Sequence, residues 1–235
     1  MHSYLKIIFK LMMILLLGVG DIYLGYKTFV KFSINKIEVE ATDNDWKEEM
    51  LLLVNAEHPL MDNYYFEKYE LRNGQLIDKR IYPYLKQMFD EMKELGLRAF
   101  VRSGYRDYNQ QEELFKERYL NYLSNGLNED EALVLTQKEV ALPKTSEHET
   151  GLAVDINSDM NYTSNQEVYE WLAENAHRYG FILRYPLDKQ EITGVQFEPW
   201  HYRFVGIENA KEIYEEGYCL EEYIQVIEAN YSYFN

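Results

Sequence analysis

Residues 145–157 read TSEHETGLAVDIN, and the aspartate inside that apolar run constrains the fold more than any other feature. Side chains alternate along a strand with period two, so Leu152, Val154 and Ile156 face one way and Ala153, Asp155 and Asn157 the other. One side then belongs to a core, while the other has to accommodate a carboxylate. Ala153 is small and leaves room above the sheet. His148 lies in the turn before the strand, where Gly151 lets the chain bend back and brings the imidazole toward Asp155. Two metal-ligand types therefore share one short stretch. In isolation such a pair is more often a surface hydrogen bond than a metal site.

A second stretch, FEPWHYR at residues 197–203, widens the choice. Pro199 opposes a regular helix, so Glu198 and His201 come from an extended or turning segment and both can point into one cleft. His148, Asp155 and His201 would fill three positions of tetrahedral zinc and leave the fourth for water, the arrangement of a catalytic rather than a structural site. Glu198, three residues before His201, suits the general base that takes a proton from the attacking water and passes it to a leaving amine. On spacing alone it is equally a surface carboxylate. The third stretch, RSGYRDYNQQ at residues 102–111, reads as a strand ending in a glycine turn. It places Arg106 at a rim, where a fixed guanidinium could hold a carboxylate or an oxyanion, although arginines in loops are usually solvated.

The rest of the chain supplies the frame. Leu85, Met88, Phe89 and Met92 repeat at helical spacing and predict a helix closed by Gly96. Residues 108–125 and 128–140 read as helices separated by Gly126. Ser164 with Glu167 forms a capping box before a helix that Gly180 ends. Short strand-like runs at FILRYP and GVQFEPWHYRFVG follow, then two C-terminal helices near residues 209–216 and 221–229. Helices and strands in mixed order predict an α+β fold with a small central antiparallel sheet flanked by helices.

The first 36 residues carry five lysines against one aspartate, so within a formal net charge of -16 the remainder is strongly acidic. A surface of that sign repels phosphate backbones and argues against a nucleic-acid partner. The single cysteine, Cys219, excludes an intramolecular disulfide and a cysteine-rich zinc site, and reads as a small buried hydrophobe. Residues 11–20, LMMILLLGVG, form an apolar core behind Lys6 and Lys10 without a following A-x-A cleavage site. Residues 1–37 are therefore expected to be a signal or signal-anchor segment with its linker, and residues 38–235 the catalytic domain.

Taken together, SGYR at residues 103–106 followed by Gln111, SEHETGLAVDI at 146–156, and GFILRYP with ITGVQFEPWHYRFVG at 180–206 resemble the VanY-like zinc D-alanyl-D-alanine carboxypeptidases. The likeness runs from about Leu52 to Val205. It implies a zinc-peptidase fold of the hedgehog/D-Ala-D-Ala peptidase type and hydrolysis of the terminal D-Ala-D-Ala bond of peptidoglycan stem peptides. It further implies His148, Asp155 and His201 as ligands of one zinc ion, Glu198 as catalytic base and Arg106 as electrostatic stabiliser. Ser103, Gln111 and Ser146 fall at positions that line the substrate pocket or support the site residues from behind, whereas His58 and His177 match no ligand position. Two departures, Lys144 where relatives often have glycine and Glu149 where glutamine is common, bear on the cleft rim. The expected setting is a monomer tethered by its N-terminal segment at the outer face of the cell membrane or secreted into the wall space. The rival readings are an L,D-carboxypeptidase acting on tetrapeptide stems and a non-catalytic peptidoglycan-binding module that kept its zinc site.

Overall fold

The computed structural model describes residues 49–233. The expected signal or anchor segment, residues 1–37, lies outside them; among the described residues no helix is long and apolar enough to cross a membrane. A short hairpin comes first, β1 (Lys68–Glu70) against β2 (Leu76–Asp78). Helix α1 (Tyr82–Glu94) carries a proline in its first turn, where the missing N–H is no loss, and buries Leu85, Met88 and Met92. Strand β3 (Ala99–Ser103) leads to α2 (Tyr108–Ser124) and α3 (Glu129–Glu139), opened by capping boxes from Asp107 with Gln110 and from Asn128 with Glu131.

Strand β4 (Ala153–Ser158) precedes α4 (Asn165–Asn175), whose N-terminus is the Ser164–Glu167 capping box read from the sequence. That helix relaxes into a 3-10 turn, Ala176–Tyr179, before Gly180 takes φ 84° and ends it. Strand β5 (Phe181–Leu183), a helical turn at Gln190–Thr193, β6 (His201–Phe204), α5 (Ile207–Glu216) and α6 (Leu220–Tyr233) complete the chain.

The four longer-range strands form one antiparallel sheet in the order β3-β4-β6-β5, which bears out the α+β expectation. One face carries Val154, Ile156, Tyr202, Phe204 and Phe181, which pack with Leu85, Met88 and Met92 of α1 and Val168 and Leu172 of α4. Removing each such side chain from water stabilises the fold by ~1.5–3 kcal/mol. A smaller cluster of Ile182, Val205, Ala210, Ile213, Leu220 and Tyr223 fastens α5 and α6. Cys219 is buried, as a small hydrophobe should be. The β1–β2 sheet is an addition to the single sheet expected: its three-residue strands carry exposed Lys68 and Glu70, so no apolar alternation announced them.

Lys144, one of the two departures noted in the sequence, has a left-handed φ of 69°, a conformation that favours glycine. Its backbone N–H donates to Glu149 Oε1 at 2.6 Å, which ties the two unusual positions to each other.

Candidate active site

The alternation read from GLAVDIN holds in three dimensions. Asp155 on β4 is the direct cross-strand partner of His201 on β6, and on its other side it faces Ser103 of β3. The β3–β4 register shifts between Val101 and Ser103; such irregularities re-aim side chains beside functional sites. Ala153 pairs with Arg203, whose side chain is fully buried.

His148 arrives from the 3-10 turn Glu147–Thr150, closed by Gly151 at φ 72°. A side chain on Gly151 would meet the Phe66 ring at 2.4 Å, so glycine is needed there for space as well as for backbone geometry. Gly104 is constrained by space alone, since a Cβ would lie 2.2 Å from the Leu76 carbonyl oxygen. The turn docks on that loop: His148 Nδ1 lies 2.7 Å from the Gly104 carbonyl, and Arg106 N–H donates to the His148 carbonyl. A proton on Nδ1 satisfies the carbonyl and leaves Nε2 as the free lone pair, an orientation common among metal-binding histidines.

The three candidate ligands come together on this face. His148 Nε2 lies 3.4 Å and His201 Nδ1 3.2 Å from Asp155 Oδ1. Ligand atoms of all three residues fall within 4.8 Å of one another. Tetrahedral bonds of about 2.0–2.1 Å give edges of roughly 3.3–3.4 Å between ligand atoms, and both edges that Asp155 makes match that length. Asp155 Oδ1 is buried with no hydrogen-bond partner, which a cation at this point would supply.

The electrostatics agree with a cation. Burial opposes a charge on His201, but Asp155, Glu147 and Glu198 around it outweigh burial and raise its pKa to about 9. Burial, helped by the charges of Arg106 and His201, pulls His148 down against the pull of Asp155. For Asp155 burial acts upward, yet the two imidazoles hold its carboxyl well below the usual range. The three carboxylates Asp155, Glu147 and Glu198 thus favour positive charge in this pocket.

Glu198 sits in the turn before β6. Its N–H donates to the Tyr185 carbonyl and its carbonyl accepts from His201 N–H, the turning geometry that Pro199 required. Glu198 Oε2 is 3.6 Å from His201 Nδ1 and faces the same cleft. Burial, partly offset by His201, raises its pKa to about 6.

Arg106 is half-buried and hydrogen-bonded rather than freely solvated. Its Nε donates to Gln111 Oε1 at 2.8 Å and its NH1 to Ser103 Oγ at 2.5 Å. Gln111 in turn donates to the Ala141 carbonyl at 2.7 Å. Two of the residues read as substrate-pocket positions, Ser103 and Gln111, thus fix the guanidinium; Ser146 is buried in the cleft wall beside His148. The cleft, about 860 Å³, also has Tyr185, Phe100 and Trp200 in its lining. His177 and His58 stay apart from it: His177 stacks on Tyr214 with 3.8 Å between centroids, and His58 bonds Asn55 on the surface.

Sequence reasoning did not find Glu147, Arg184, Arg203 or Tyr185. Glu147 is fully buried between two buried arginines, and the Tyr185 ring packs on His201 with 4.8 Å between centroids. A charge inside an apolar run was the available signal: Arg184 in FILRYP, and Arg203 two residues beyond His201 on the same strand face.

The comparisons with known proteins fit this site. The family model described as VanY, D-alanyl-D-alanine carboxypeptidase, matches residues 74–207. A D-alanyl-D-alanine carboxypeptidase of Enterococcus faecalis is 47% identical over 190 residues, 81% of this chain and 71% of that protein. The zinc complex of the vancomycin resistance D,D-pentapeptidase VanY from a VanB-type cassette gives a TM-score of 0.73 at 49% identity, over 74% of this chain and 98% of that one. The complex of VanYB with D-alanine-D-alanine gives 0.74 at 48% identity, over 75% and 98%.

Proposed function

The chain belongs to the VanY family of D-alanyl-D-alanine carboxypeptidases, and on that premise we propose that its cleft hydrolyses the C-terminal D-Ala-D-Ala bond of peptidoglycan stem peptides with one zinc ion. The observation that carries this reading is the cross-strand pair of half-buried Asp155 and buried His201, with His148 and Glu198 closing on it from two separate turns.

In this reading His148 through Nε2, Asp155 through Oδ1 and His201 through Nδ1 hold the metal. When bound, zinc supplies Lewis-acid activation of a water and of the scissile carbonyl. Glu198 is the general base: it stands beside the ligands without being needed as one, and its carboxylate accepts the proton of the attacking water. The same group then returns that proton to the leaving amine, so free D-alanine departs with its nitrogen protonated and Glu198 is reset. Arg106, held rigid by Ser103 and Gln111, places a fixed positive charge where the carbonyl oxygen becomes an oxyanion. Donors that are already in place need no reorganisation as charge develops. Ser103, Gln111 and Ser146 shape the pocket around the peptide's C-terminus.

The catalytic unit is residues 38–235, working as a monomer on the outer side of the membrane with residues 1–37 as its tether. Membrane fractionation of cells expressing the full chain, against a chain starting at residue 38, tests the tether: the shorter chain should leave the membrane fraction.

Mass-spectrometric analysis of stem-peptide digests tests the activity. A pentapeptide ending in D-Ala-D-Ala should lose one D-alanine in the presence of zinc and none with a chelator. A tetrapeptide should remain intact. Cleavage of the tetrapeptide alone would replace this reading with L,D-carboxypeptidase activity, and cleavage of neither would leave a binding module.

A further inference from the structure

Behind the ligands lies a buried chain of charges that the reaction does not itself use. Arg184 donates through Nε to Glu147 Oε1 at 2.8 Å and through both terminal nitrogens to the two oxygens of Glu221, at 2.8 and 2.6 Å. Arg203 donates to the same Glu147 Oε1 at 2.9 Å, and to the carbonyls of Met50, Leu52 and Phe204. Both guanidiniums and the Glu147 carboxylate are fully shielded from water. Each arginine thus has partners on several sides, and Glu147 Oε1 is occupied twice.

Glu147 Oε2 is the loose end. It is buried without a hydrogen-bond partner and faces His201 Nε2, likewise buried without one, at 3.6 Å. A contraction of less than about 1 Å makes this a charge-assisted N–H···O bond of ordinary length. Oε2 is an acceptor only, so it favours the tautomer with the proton on Nε2 and the lone pair on Nδ1, the atom that faces Asp155.

We propose that Glu147, clamped by Arg184 and Arg203, is a positioning residue that accepts the Nε2 proton of His201 and so presents its Nδ1 to the metal. The inference rests on the reading of His201 as a zinc ligand. The clamp explains why two arginines are buried here: with Oε1 taken by both guanidiniums, the carboxylate cannot rotate away, and Oε2 stays aimed at the ring. Glu221 on α6 balances the Arg184 guanidinium and stands outside this contact.

Glu147→Gln tests the point while keeping the shape. With the amide oxygen retained by the arginines, the NH2 group faces His201 Nε2 and favours the opposite tautomer, which takes the lone pair off Nδ1. Zinc affinity, measured by chelator competition on the folded full chain, should weaken ~10–100-fold, as loss of an outer-shell partner typically does. Glu221→Gln is the control: it breaks a buried ion pair of the same network, so it should lower the melting temperature yet leave zinc affinity within about threefold of wild type. Equal zinc affinity in Glu147→Gln and wild type overturns the inference, as does an equal loss in Glu221→Gln.

The wild-type chain provides a second test that does not depend on a Glu147 variant. Loaded with zinc and labelled with 15N-histidine, it should show His201 protonated at Nε2 and coordinated through Nδ1, assigned by the loss of that signal in His201→Asn. A ring proton on Nδ1 overturns the inference. A wild-type chain that binds no zinc overturns the underlying reading as well, which separates the two failures.

Discussion

The two faces of the four-stranded sheet are built by opposite means from the same strands. On one face Val154, Ile156, Tyr202 and Phe204 pack into an apolar core with α1 and α4. On the other, His201 and Arg203 are buried nearly as deeply and Asp155 is half-buried, beneath the turn that carries Glu147 and His148. All four residues of β6 are buried, although two are aromatic and two are cationic or titratable. Alternation therefore sorts side chains by face without sorting them by exposure. The apolar face gains its stability from removing area from water, whereas the polar face has to match every charge with a partner.

That difference can be broken experimentally, beginning with the polar face. His201→Ala removes one candidate ligand outright. Zinc affinity should fall by more than the ~10–100-fold that an outer-shell loss produces, and D-alanine release should fall to background. Metal retained at full stoichiometry would show that the ligand set is misassigned. Arg106→Met comes next. It should lower kcat by about 10²–10³ with zinc content unchanged, as expected for loss of one preorganised oxyanion partner. A parallel loss of zinc would mean that the guanidinium supports the ligands rather than the reaction.

A change on the apolar face should act only on stability. Phe204→Ala leaves a cavity beneath β6 and should destabilise the fold by about 3–5 kcal/mol in denaturant titration, while the folded fraction keeps wild-type zinc affinity. Coupled loss of affinity would show that the faces are not independent. The smallest effect belongs to Glu91, which accepts from the two terminal nitrogens of Arg178 at 2.9 and 3.1 Å and from the Tyr179 hydroxyl. Burial pushes its carboxyl up, but those hydrogen bonds prevail and its pKa is lowered. A lowered folded-state value makes its contribution fully present above the ordinary glutamate value of about 4.3 and lost as pH falls through the folded one. Because the pair is partly exposed, Glu91→Gln should cost at most about 1 kcal/mol at neutral pH and nothing in acid. A constant difference between the two melting curves at all pH values would contradict that sign.

Much of the polar face was legible before any coordinates. Asp155 stood out because a carboxylate interrupts an apolar alternation, and Pro199 showed that Glu198 and His201 were not helical. The helix of Leu85, Met88 and Met92 and the capping box of Ser164 were equally plain, since both are local patterns that tertiary packing only reinforces. The β1–β2 hairpin was not, because strands of three residues are too short to show a period. Glu147 escaped for a different reason. A glutamate in a turn reads as a solvated residue, and its burial follows from Arg184 and Arg203, which lie 37 and 56 positions away. Partners at such distances are brought together by the fold of the sheet, not by any spacing in the chain.

The central claim is that Glu198 performs the proton transfer beside a metal held by three other residues. Glu198→Gln keeps the side-chain shape and removes the base, so zinc content and D-alanine release should be measured on the same preparation. The account predicts about one zinc per chain, as in wild type, with release from the pentapeptide lowered ~10²–10⁴-fold. Release at the wild-type rate with zinc bound would contradict it.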